Sequence, residues 1–137
     1  MTTIAQVREN LAYCAATIDG WRGSWYVGDK LNHGTVVVSR PPFDPRMVFG
    51  GGKATYTFRL TAYASITTPE LSEILLDSLA EPTGAGSLIT AIQDEANWSA
   101  VDVDWAQVTE VGAVFVAQLA EGAEQFLACP FSVEVCW

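Results

Sequence analysis

The sequence predicts a single α+β domain over residues 1–137, with a largely antiparallel sheet of about five strands packed by an N-terminal helix and a central helix pair. Three observations predict it. Apolar residues recur at helical spacing near the N-terminus and again between residues 69 and 92. Alternating or β-branched runs occupy most of the remainder. The helices are grouped and do not alternate with strands, which argues against a doubly wound parallel sheet. At 137 residues, half of them hydrophobic, the chain suits one domain that buries its core without staples.

The elements follow in order. Thr3 is placed to cap a first helix, with Gln6 at the reciprocal position of a capping box. Ile4, Val7, Leu11, Ala15 and Ile18 then share one face, and Asp19-Gly20 ends the helix. Trp21 to Val27 reads as a strand, residues 28–34 as a loop, and Thr35 to Val38 as a short buried strand. Residues 39–53, SRPPFDPRMVFGGGK, hold three prolines and three consecutive glycines and read as a long irregular loop.

From Thr55 to Tyr63, Tyr56, Phe58, Leu60 and Ala62 alternate with polar residues, so one strand face is buried. Thr68-Pro69-Glu70 opens a second helix, with Leu71, Ile74, Leu75 and Leu79 expected to face the core. Pro82 to Gly86 breaks the chain, and Ser87 caps a third helix carrying Leu88, Ile89 and Ile92. Val101, Val103 and Trp105 alternate with Asp102 and Asp104 as the start of a strand. Ala113 to Leu119 and Phe126 to Val135 flank Glu121-Gly122 as a hairpin. Pro130 in the last strand suits an edge or a bulge.

Charge is unevenly distributed. All seven Lys and Arg lie in residues 1–59, with four acidic residues, a net of +3. Residues 60–137 hold twelve acidic residues and no basic one, which completes the chain's −9. The acidic balance disfavours nucleic-acid binding as the main task, because phosphate neutralisation needs a basic patch. Segregated charge suits copies that pack head-to-tail into a ring; the alternative is two halves that are simply solvated. Cys14, Cys129 and Cys136 form no close pair and read as reduced thiols in a cytosolic setting. The N-terminus reads as a charged helix and not as a signal peptide, and no apolar run reaches membrane-spanning length.

Catalytic motifs are weak. Gly50-Gly51-Gly52-Lys53 lacks the first glycine and the closing Ser or Thr of a phosphate loop, since Met47 and Ala54 stand there. His33, the one histidine, reads as an exposed turn residue. Asp102 and Asp104 share a strand face, where a carboxylate pair either holds a hard cation or is a solvated surface. Cys14 and Cys129 read as buried hydrophobes. The chain is therefore expected to be no enzyme and to need no cofactor or metal.

Two surfaces are candidates for binding. The loop carries Arg40, Phe43, Arg46, Met47, Val48, Phe49 and Lys53, an apolar centre with a basic rim that suits a recognition surface for an acidic partner, such as a neighbouring subunit; otherwise its aromatics fold back on the loop's own sheet. The second helix carries Glu70, Glu73, Asp77 and Glu81 as an acidic stripe. That stripe is a wall of a lumen, a partner for Arg40, Arg46 and Lys53 of a neighbour, or the wet side of a helix.

In their order, TTIAQVRENL, TVVVSRPPFD, ATYTFRLTAYAS, LSEILLDSLAEPTGAGSLITAI and VFVAQLAEGAEQFLACPFSVEV resemble the tail terminator proteins of long, flexible-tailed phages, especially those of actinobacterial hosts. The resemblance implies a small α+β subunit that forms a six-fold ring. The ring caps the tail tube, ends its polymerisation and presents the surface that docks the head. It also implies the partners: further copies, the tail tube protein and head–tail connector proteins, with DNA passing through unbound and no membrane contact. The expected place is the virion, at the head–tail junction, after assembly in the host cytoplasm. The alternatives are another connector, such as a stopper or head-completion protein, or a small-ligand-binding α+β module.

Overall fold

The computed structural model describes residues 2–25, 33–42, 55–118 and 124–137. The chain is α+β, with three helices on one face of a six-stranded mixed sheet. The elements are α1 (Ile4–Ala16), β1 (Arg22–Ser24), β2 (Thr35–Ser39), β3 (Thr55–Ser65), α2 (Pro69–Ala80), α3 (Leu88–Gln93), β4 (Trp105–Val111), β5 (Phe115–Gln118) and β6 (Gln125–Cys136). A 3-10 turn, Glu95–Trp98, follows α3. The sheet order is β1-β2-β3-β6-β4, and β5 pairs with β6 beyond the end of β4. Among the described residues, only the β1–β2 pair is parallel.

Helix α1 forms as its sequence dictates. The Thr3 hydroxyl accepts from the Gln6 amide, and the Gln6 side chain accepts from the Thr3 amide. Both satisfy donors that a helix start leaves unpaired. Val7, Leu11, Cys14 and Ala15 are fully buried. The helix stops at Ala16, earlier than Asp19-Gly20, because the Thr17 hydroxyl turns back to donate to the Cys14 carbonyl. Ile18 is buried all the same, and Gly20 takes the left-handed turn (φ 84°) that leads into β1.

Strands β3 and β6 are the spine of the sheet, paired in register over eleven residues from Thr55↔Cys136 to Ser65↔Phe126. Phe58, Leu60, Ala62 and Ala64 face Phe131, Val133 and Val135 on the helix side, all of them fully buried. Pro130 lies inside this spine, not at an edge, and the sheet adapts around it. In an antiparallel ladder a residue's N–H and C=O point to the same neighbour. The Pro130 carbonyl accepts from the Gly112 amide, so its missing N–H falls on the side of β4 and β5. The outer strand breaks there into two pieces, while β6 stays in register with β3 through Pro130, so the proline sits at neither an edge nor a bulge. The hairpin pairing of β5 with β6 holds through Gln118↔Gln125, while Glu121-Gly122 lies outside the described residues.

The fourth strand starts later than its alternation implies. Val101 to Asp104 is not strand. The Val101 amide returns to the Trp98 carbonyl, and the Thr2 hydroxyl donates to the Asp102 carbonyl. These two bonds hold the segment out of the sheet until the Asp104 amide reaches the Cys136 carbonyl. Trp137 closes the same corner. Its ring stacks on Tyr56 at 4.5 Å and its indole N–H donates to the Thr2 carbonyl.

Candidate interaction surfaces

Helix α2 is the main departure from the sequence reading. Leu71, Ile74 and Leu75, expected in the core, are 62%, 55% and 38% exposed, while Ser72, Leu76 and Leu79 are buried. One side chain sets this rotation. The Ser72 hydroxyl donates to the Ser65 carbonyl at the end of β3, which fixes the first turn of α2 with Ser72 inward. The Ser72 amide meanwhile returns to the Thr68 carbonyl. Thr68 occupies the cap position, but its side chain makes no capping bond.

At about 100° per residue, α2 then carries three stripes roughly a third of a turn apart. Ser72, Leu76 and Leu79 face the sheet. Leu71, Ile74 and Leu75 face solvent. Glu70, Glu73, Asp77 and Glu81 form the third stripe and are all exposed. The structure thus brings the four predicted carboxylates together and sets an aliphatic strip beside them that sequence reasoning missed. One signal for it was present: Leu71, Ile74, Leu75, Leu76, Leu79 and Ala80 cover more than half the circumference, wider than one packing face.

The other predicted surface is described at its first residues only. Arg40 directly follows β2 and is exposed, whereas Phe43, Arg46, Met47, Val48, Phe49 and Lys53 lie outside the described residues, as does the Gly50–Lys53 run. The segment rejoins the sheet at Thr55, the first residue of β3. Helix α2 departs from Ser65, the last residue of β3. These two attachment points are separated by the full strand, roughly 30 Å at ~3.3 Å per residue.

The outer edge formed by β4 and β5 also exposes large apolar side chains. Trp105, Val111, Phe115 and Val116 are between 38% and 54% exposed. A cleft of about 630 Å³ opens beside β4, lined by Trp98, Trp105, Glu95, Asp102 and Asp104 among others. Asp102 and Asp104 are exposed and precede the strand, so they do not share a strand face. Among the described residues, no three His, Cys, Asp or Glu side chains gather so as to hold a metal ion.

The remaining reactive groups have structural settings. His33 is exposed, and its Nδ1 accepts from the Ser65 amide at 2.9 Å, tying the turn before β2 to the end of β3. The three cysteines are free and buried. Burial pushes the Cys14 thiol up to about 12, with Asp94 adding to the effect, and burial also raises Cys129. Neither is poised as a thiolate nucleophile. Among the described residues no helix is long and apolar enough to cross a membrane. No protein-family model matches the chain, and no curated protein is significantly similar to it.

Proposed function

We propose that the chain is a structural subunit of a phage tail, a tail terminator whose copies form a ring that caps the tail tube and presents the head-docking surface. It acts by binding alone, with no chemical step and no cofactor. Its partners are its own copies, the tube protein below and the connector above, and DNA passes through the ring unbound. Its place is the head–tail junction of the virion.

One observation carries the reading: large aliphatic and aromatic side chains stay in water on α2 and on the β4–β5 edge, in a chain whose basic residues are all in its first 59 positions. An isolated domain gains nothing from either feature, whereas a subunit with several neighbours uses both. The order of the five sequence segments directs the reading to tail terminators. Class-averaged electron microscopy of the protein mixed with tail tubes tests it. A ring seated on the tube end is expected. A ring that binds only the head portal assigns the chain to a different connector, and a two-fold dimer defeats the ring altogether.

A further inference from the structure

We propose that the outer side of α2 is the seat for the 40–53 segment of a second copy of this chain, aliphatic against aliphatic and acidic against basic. The proposal deepens the ring reading and rests on it for closure of the ring, but its test uses no tail tube.

The stripes of α2 decide between the uses open to its carboxylates. A wall that DNA slides past needs repelling charge along its whole width. Here the acidic stripe is bordered by Leu71, Ile74 and Leu75, and aliphatic groups of that size in water mark a surface that something covers. The cover must be apolar in its middle and basic at its rim. Within this chain one stretch has that composition. Residues 40–53 hold Phe43, Met47, Val48 and Phe49 together with Arg40, Arg46 and Lys53, and one acidic residue, Asp44. The other basic residues are scattered: Arg8 lies against the Trp25 ring at 5.6 Å, Arg22 is in β1, Arg59 is in β3, and Lys30 has no basic neighbour in sequence.

The geometry favours a second copy as donor of the segment. The segment joins β3 at Thr55 and α2 leaves it at Ser65, so seat and occupant are rooted at opposite ends of one rigid strand. Two different surfaces meeting between copies make a heterologous contact, which propagates until it closes.

The test is a charge exchange. One variant carries Glu73→Lys and Asp77→Lys, both at exposed positions; the other carries Arg46→Glu and Lys53→Glu. Sedimentation of each full chain up to millimolar concentration reads association, and thermal melting checks the fold. Each variant alone should associate at least about tenfold more weakly than the native chain, because like charges then face each other. An equimolar mixture should recover assembly, in even-numbered oligomers with the variants at equal stoichiometry. The reason is that every junction in an alternating ring again pairs opposite charges. A third variant, Leu71→Ser with Ile74→Ser, should weaken association with its melting temperature unchanged.

Three results overturn the proposal. Single variants that assemble like the native chain place the contact elsewhere. A mixture that stays dissociated where the native chain assembles gives the seat to the chain's own segment or to another protein. A native chain that remains monomeric at millimolar concentration removes the contact between copies. Recovery by mixing without capping of tubes keeps this contact and defeats only the terminator reading.

Discussion

Strand β6 and helix α2 pack against each other, yet they treat their apolar residues differently. In β6, Leu127, Cys129, Phe131, Val133 and Val135, which alternate along one face, are all buried in the core. In α2, Leu76 and Leu79 are buried while Leu71, Ile74 and Leu75 stand in water. The strand lies in the middle of the sheet, with β3 on one side and β4 and β5 on the other, so its helix-side face has one place to go. The helix rests on the sheet along one line and has more apolar residues than that line can take. The difference separates residues that make the fold from residues the fold leaves over.

The sharpest way to break this comparison is Phe131→Ala. Phe131 is fully buried opposite Leu60 and Val111. Its loss should cost about 3–5 kcal/mol in chemical denaturation. A cost near 1 kcal/mol would mean the spine is looser than described. The second test compares two leucines of one helix. Leu76→Ala should cost about 2–5 kcal/mol. Leu71→Ala should change the stability of the monomer by no more than about 0.5 kcal/mol. Equal costs would restore the face expected from sequence and remove the exposed strip.

Helix α1 sharpens the comparison, because it leaves one large apolar side chain in water, Tyr13, where α2 leaves three. At Gly23, in β1, an added Cβ would lie 2.0 Å from the Ala12 carbonyl oxygen of α1. That is backbone against backbone, so Gly23→Ala must push strand from helix and should cost about 1–3 kcal/mol or more. The effect of Cys14 is confined to alkaline pH. Its thiol is raised by burial from 9.0 to about 12, so the folded chain holds a proton that the unfolded chain releases. The contribution is complete below pH 9.0 and is lost as the pH rises towards 12, at no more than about 1.4 kcal/mol per pH unit. The slope in excess of a Cys14→Ala variant, measured across that window, checks it. The same slope in both chains would show that Cys14 is not the group responsible.

Much of the fold was legible because local rules act alone in those places. The capping box of Thr3 and Gln6, the alternation of β3, the cap at Ser87 and the hairpin pairing of β5 with β6 all follow from neighbours in sequence. What was not legible depends on distant partners. Ser72 turns inward to meet the Ser65 carbonyl, and hydropathy assigns a serine to the surface. Asp102 and Asp104 look like one face of a strand, but Thr2, a hundred residues away, helps to hold that stretch out of the sheet. The acidic half of the candidate site was read correctly as exposed. Its aliphatic half was hidden by the assumption that leucines on a helix point to the core.

The proline in the middle of β6 decides what the outer edge of the sheet offers to other strands. A long, straight outer strand offers a row of free amides and carbonyls to any other strand, which is how sheets fuse edge to edge into fibrils. Pro130 cuts that row into tracts of seven and four residues, with a bulge between Val108 and Glu110 in the longer one. Gly112 completes the break, since any side chain there would strike the proline ring. In the proposed ring, an edge that other backbones cannot extend leaves recognition between copies to side chains, where the number of partners is limited by shape.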